Sequence, residues 1–256
     1  MRMDSVSFVF LAFFIQYTIA DGIINGKEVS KHSKPYMAFL NITGYDKPEN
    51  RCGGILISEN FVLTAAHCKG SQIVVTLGAH NIDKWEKVQQ KIDVCEQIQH
   101  PLYEKDESKD IMLLKLRKKA VQNKYVCPKW LHKSVPKLKT GDLCNVAGWG
   151  RINTFNHNMA SKLQELDMKV VAPNECTKAF PNYNTKELIC AQNIIKSKST
   201  CWGDSGGPLF CGKYLYGLVH GGKGDCTGPR LFTSVFSYID WINSSLKKPK
   251  CKKESY

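Results

Sequence analysis

Short apolar runs broken by polar turns recur along most of this chain, and they read as β-strands. Gly54-Ile55-Leu56-Ile57, the turn Ser58-Glu59-Asn60 and Phe61-Val62-Leu63-Thr64 predict a hairpin. Residues 73–77, 88–94 and 111–116 predict further strands. After a lysine- and proline-bearing connection at 117–139, the pattern resumes at 143–150, 162–171, 209–211 and 214–219. Near the end the period changes. Val235, Ile239, Ile242 and Leu246 fall on one face of a helix. At the start, Met1-Arg2-Met3-Asp4 precedes an apolar run at 6–14 that continues, more mixed, to Ala20. That run is too short for a membrane span, and Thr18-Ile19-Ala20 ends it on a small residue, so residues 1–20 are expected to be a signal peptide. No second long apolar run follows, and the mature chain is expected to be soluble and exported.

Composition sharpens this picture. The 256 residues suit one large or two small domains, and 43% hydrophobic residues suffice for a real core. Eleven cysteines agree with an oxidising compartment, and no C-x-x-C pair suggests zinc. No metal or cofactor is expected. The formal charge of +13 comes from lysines clustered at 115–119, 129–139 and 247–253. No helix-turn-helix, zinc finger or RNA-recognition motif accompanies them, so a nucleic-acid partner is not expected. Two readings of the charge stay open: a solvated basic surface, or a surface for sulfated proteoglycan. Asn41-Ile42-Thr43 and Asn243-Ser244-Ser245 are glycosylation sequons.

The chemistry centres on Cys201-Trp202-Gly203-Asp204-Ser205-Gly206-Gly207-Pro208. A serine among glycines has room around it, but its hydroxyl is a weak nucleophile until a base takes the proton. A base is available in Thr64-Ala65-Ala66-His67-Cys68, and Asp110-Ile111-Met112-Leu113-Leu114 lies between the two. On these three motifs, in this order, the chain resembles the chymotrypsin-like serine proteases from residue 23 to about 247. Leu77-Gly78-Ala79-His80-Asn81 narrows the resemblance to granzymes and mast-cell proteases.

The resemblance implies an all-β fold of two six-stranded antiparallel barrels, about 23–121 and 140–234, with a C-terminal helix and the active site between the barrels. It implies His67, Asp110 and Ser205 as a catalytic triad, with the Gly203 and Ser205 amides as oxyanion hole. It also implies disulfides Cys52–Cys68, Cys144–Cys211, Cys176–Cys190 and Cys201–Cys226. Cys95, Cys127 and Cys251 are left over, and one further pair among them would leave a single thiol. His80 and His100 have no catalytic match and are taken as structural. In the family a new N-terminus inserts against the aspartate before the nucleophile, which here pairs Ile23 with Asp204. Gly22, not Lys or Arg, precedes Ile23, so removal of the dipeptide at 21–22 is expected rather than a trypsin-like cut. The plainer alternative makes Ile23-Ile24 merely a first strand.

Protein or peptide substrates follow from this resemblance, and three residues bear on which. At the expected floor of the S1 pocket stands Ser199 rather than Asp, which disfavours cleavage after Lys or Arg. Opposite, Pro229-Arg230-Leu231-Phe232 replaces the usual Pro-Gly-Val-Tyr. Granzyme B has arginine at the position of Arg230, the same seven-residue spacing from the glycine matching Gly222, and cleaves after aspartate. Arg230 turned into the pocket predicts acidic P1 specificity; Arg230 turned out predicts a chymase-like apolar preference. His220-Gly221-Gly222 departs from the usual Ser-Trp-Gly or Ser-Tyr-Gly. His220 either replaces the serine contact to Asp110 or competes with His67 for it, while Gly221 leaves the cleft without its aromatic wall. A rival from another class is a non-enzymatic cationic binding protein on the same fold.

Overall fold

The computed structural model describes residues 23–44, 50–154, 157–183, 187–195, 197–247 and 251. The expected signal peptide and activation dipeptide therefore lie outside the described residues, as does most of the lysine cluster at 247–253.

A two-residue strand, β1 (Lys27–Glu28), precedes two closed barrels. The first comprises β2 (Met37–Thr43), β3 (Asn50–Ser58), β4 (Phe61–Thr64), β5 (Gln72–Leu77), β6 (Gln90–Gln99) and β7 (Met112–Leu116), in the order β2-β3-β4-β7-β6-β5. Alternate residues fill it, as the two-residue period of a strand requires. Leu40 and Ile42, Val75 and Leu77, and Leu114 and Leu116 share one buried cluster. The second comprises β8 (Leu143–Gly148), β9 (Gln164–Val170), β10 (Leu188–Gln192), β11 (Pro208–Cys211), β12 (Tyr214–Gly222) and β13 (Arg230–Ser234). Antiparallel pairings close it in the order β8-β9-β10-β13-β12-β11. Closure leaves neither barrel an unpaired edge.

The apolar pattern alone does not single out β2, β10 or β13. In β2 the sequon interrupts the run, β10 has only five residues, and β13 opens on a charged residue that nonetheless is buried. The short helix α1 (Pro173–Ala179) also escapes the pattern; it starts on a proline at its first turn and is fastened by Cys176–Cys190. The expected C-terminal helix is present as a 3-10 turn (Phe236–Tyr238) leading into α2 (Ile239–Ser245).

The barrel boundaries need one correction. The stretch from Ile23 to Glu28 belongs to the second barrel, not the first. Ile23 is fully buried in that core with Val146, Leu209 and Val219, and β1 pairs with β9. Conversely, Val235, Tyr238 and Ile242 at the other end pack with Ile55, Phe61 and Leu63 of the first barrel. Each end of the chain thus straps across to the opposite barrel, because that is where its apolar side chains find cover.

All four implied disulfides are formed, and a fifth joins Cys95 to Cys251, leaving Cys127 free and exposed. Of the sequons, Asn243 is exposed on α2, whereas Asn41 is half-buried in β2 and paired on both sides. Among the described residues no helix is long and apolar enough to cross a membrane.

Candidate active site

His67 sits in a 3-10 turn (Ala66–Cys68) directly after β4. Cys68 is tied to β3 through Cys52, and Gln99 Nε2 donates to the Ala66 carbonyl at 3.0 Å. Cys52 and Cys68 lie beside His67, but as a disulfide they carry no thiolate for a metal. Asp110 follows a 3-10 turn (Glu107–Lys109) capped by Asp106, which accepts from the Ser108 amide. From the second barrel, Thr233 Oγ1 donates to the Asp110 carbonyl at 3.0 Å. Both barrels therefore hold this aspartate.

Asp110 Oδ2 lies 2.6 Å from His67 Nδ1, and Oδ1 accepts the His67 backbone N–H at 2.9 Å. The carboxylate fixes the proton on Nδ1 and leaves Nε2 as the basic nitrogen. Burial by itself would raise the Asp110 pKa, but the His220 and His67 rings against the carboxylate hold it far below the usual range. For His67, burial lowers the pKa, yet the hydrogen bond and charge of Asp110 outweigh that and raise it. His67 keeps 34% of its side-chain surface open to the cleft.

Ser205 occupies a turn that only glycines permit. Gly203 and Gly206 have φ of 92° and 74°, and a Cβ on Gly206 would stand 2.1 Å from Thr64 Oγ1. The turn is anchored on β3 by the Gly53 N–H donating to the Ser205 carbonyl at 2.8 Å. The Trp202 carbonyl accepts from the Arg151 N–H at 2.9 Å. Carbonyl and N–H point opposite ways across a trans peptide, so the Gly203 N–H faces away from Arg151. Among the described residues, neither this N–H nor that of Ser205 has an acceptor.

A cavity of about 230 Å3 opens beside Ser205 and His67, with Cys201, Val219, Gly222 and Arg230 also in its wall. Arg230 retains only 5% of its surface, so its side chain does not turn out to solvent. Its Nη1 donates to the Lys223 carbonyl at 2.8 Å, while Nε is buried without a partner. Burial lowers its pKa to about 10, against the opposing charges of Asp204 and Asp225. Arg230 pairs with Gly222 across the sheet, and a Cβ there would fall 2.5 Å from Nη1. The glycine is what admits the guanidinium. Ser199 does not line the cavity: it is fully buried, bridges to Ile24 and donates its Oγ–H to the Thr200 carbonyl.

Asp204 is fully buried, its oxygens accepting from the Gly150 amide at 2.8 Å and the Cys201 amide at 3.0 Å. Burial raises its pKa to about 7, with those amides and the Arg230 charge opposing. The Gly148-Trp149-Gly150 turn exists to receive it, since a Cβ on either glycine would strike the carboxylate. No described contact joins Ile23 to Asp204. Ile23 is instead held with φ of 30°, a strained setting for a β-branched residue.

The sequence model of one protein family, Trypsin, matches residues 23–242. The chain belongs to the trypsin family. Granzyme B(G,H) of Mus musculus is 47% identical over 232 residues, covering 90% of this chain and 93% of that protein. Duodenase-1 of Bos taurus is 45% identical, covering 90% and 92%, and cathepsin G of Homo sapiens 41%, covering 90% and 90%. The solved structure of GrC superposes with a TM-score of 0.83 at 41% identity, over 88% of this chain and 100% of that one. As a trypsin-family chain the protein is a serine endopeptidase.

Within that trypsin-family frame, sequence reasoning missed two supports. Thr233 holds Asp110 from the far barrel, and Thr64 Oγ1 donates to the Gly53 carbonyl at 2.8 Å beneath the serine turn. Threonines in strands give no distinguishing signal. The departure at His220 did give one, and its ring lies against Asp110.

Proposed function

We propose that this endopeptidase cleaves peptide bonds after acidic residues, with His67, Asp110 and Ser205 as its triad. Arg230 carries the acidic-P1 reading: a buried guanidinium in the cavity wall with an unpartnered Nε suits a substrate carboxylate. With substrate seated, His67 Nε2 takes the Ser205 proton as Oγ attacks the scissile carbonyl. Asp110 stabilises the imidazolium that forms, and the Gly203 and Ser205 amides receive the developing oxyanion. His67 then protonates the leaving amine, and water hydrolyses the acyl-enzyme by the same route. None of these steps calls for a metal or cofactor.

Activation fits the state of Asp204, a carboxylate whose pKa burial raises to about 7. Release of residues 1–22, through a signal peptide at 1–20 and then the dipeptide, would give Ile23 an ammonium to pair with it. Five disulfides agree with export through an oxidising compartment. An active-site serine phosphonate should label the form beginning at Ile23 and leave the form retaining Asp21-Gly22 almost unlabelled. Equal labelling of both would refute the latch, and labelling of neither would refute the catalytic assignment.

A sulfated polysaccharide is the proposed surface partner. Lys87, Lys91, Lys118, Lys119 and Lys124 surround a groove of about 720 Å3 on the first barrel and its outgoing loop. Lys115 does not contribute, being buried over the Phe61 ring. Changing Lys87, Lys91 and Lys124 together to Glu should release the protein from heparin at lower salt. Unchanged elution would sink this assignment.

A further inference from the structure

Asp110 Oδ2 has two imidazole neighbours. His67 Nδ1 donates to it at 2.6 Å, while His220 Nδ1 stands 2.9 Å from the same oxygen. The His220 nitrogen lies off the line of a hydrogen bond and has no other partner. Both groups are enclosed, the His220 side chain keeping 9% of its surface and that of Asp110 1%.

The strand geometry accounts for the approach. Val219 pairs with Phe232 and Gly221 with Leu231, so His220 is the extra residue of a bulge in β12. A bulge re-aims the side chain it carries, here toward the other barrel. The Tyr183 ring then packs edge-on against His220 at 5.6 Å. The titratable groups facing the imidazole are thus Asp110, His67 and Tyr183, and Tyr103 also bears on Asp110.

A ring nitrogen so near a buried carboxylate oxygen must carry a proton, because a lone pair there would face the negative charge. We propose that His220 is a positioning residue for the Asp110–His67 pair, steadying Oδ2 and tempering the negative charge that His67 experiences through its Nδ1–H. This rests on the triad reading above. Between the alternatives open from sequence, replacement of the absent serine hydroxyl and competition with His67, the geometry favours replacement. His67 keeps the shorter, aligned contact.

The sign of the pH effect follows. Without the second donor Asp110 attracts the His67 proton more strongly. His67 would stay protonated to higher pH, and the acid limb of activity would move upward. The experiment compares kcat, KM and the pH profile of the Ile23 form for wild type, His220→Phe and His220→Ser. Phe fills the space without a donor. It should lower kcat by about tenfold, the worth of a modest polar contact to a charged group. KM should hardly change, and the acid limb should shift to higher pH. Ser supplies a hydroxyl in place of the ring N–H and should recover most of kcat and return the acid limb toward wild type. Packing alone would not produce that rescue. Wild-type kcat and acid limb in His220→Phe would overturn the proposal, and so would failure of a folded His220→Ser to restore them. If His220→Phe does not fold, His220→Ser still decides: a kcat far below wild type contradicts the donor role. An inert wild type would overturn the triad reading and this proposal together, and is told apart because no variant is then needed to see it.

Discussion

Ser205→Ala should abolish peptide hydrolysis, lowering kcat by about 10^4- to 10^6-fold, while the protein folds as before. The large effect follows from the proposed role of Ser205 as the group that forms the acyl-enzyme. Attack, leaving-group departure and hydrolysis all pass through Oγ. What remains is the small acceleration from binding and from the Gly203 and Ser205 amides acting on a water-mediated reaction. The fold should be indifferent. The anchors of this turn are main-chain bonds, from Gly53 N–H to the Ser205 carbonyl and from Gly206 N–H to the Val219 carbonyl. Alanine leaves both. Comparing the rate and melting temperature of the pure variant with wild type checks the two halves together. Undiminished hydrolysis at a normal melting temperature would remove Ser205 from the mechanism.

Arg230→Gly should exchange one P1 preference for another. In the wild type, a carboxylate entering the cavity meets a guanidinium already stripped of most water, with Nε unpartnered and Nη1 committed to Lys223. Losing one side of such a desolvated pair costs about 2–5 kcal/mol, or tens- to thousands-fold in kcat/KM for an Asp peptide. An aromatic P1 faces the opposite problem in the wild type, since it would bury the charge further without pairing it. The substitution removes that charge and enlarges the cavity, so Phe and Leu peptides should gain. No fixed anion lines the cavity to attract Lys: its wall holds no carboxylate, and Ser199 carries no charge. Matched Asp and Phe peptides on both proteins give the answer. A wild-type preference for Phe would end the acidic-P1 reading and leave the endopeptidase standing.

The chain's own order of residues was enough to reveal the strand-rich character, the C-terminal helix and three motifs whose chemistry needs one another. These are local signals. A two-residue period, glycines flanking a serine and a histidine after a hairpin are each legible within a few residues. The resemblance built on those motifs then supplied barrel count and four disulfides, which no spacing of cysteines could have supplied.

What remained undecided depends on groups far apart in sequence. Arg230 could have pointed either way; its burial follows from facing Gly222 across β12 and β13, where the missing side chain leaves room. Ser199 matched a pocket floor by position but is fully buried, bridges to Ile24 and does not line the cavity. Cys251 found Cys95 across 156 residues, a choice that rests on where the chain's end returns. Ile23 sits in the second barrel, packed with Val146, Leu209 and Val219 that lie far from it in sequence. His220 reaches Asp110 through a bulge, and a bulge depends on the partner strand's register rather than on the residue itself. Local pattern determined which side chains this protein brings to its cleft; the packing of one barrel against the other decided which atoms face one another there.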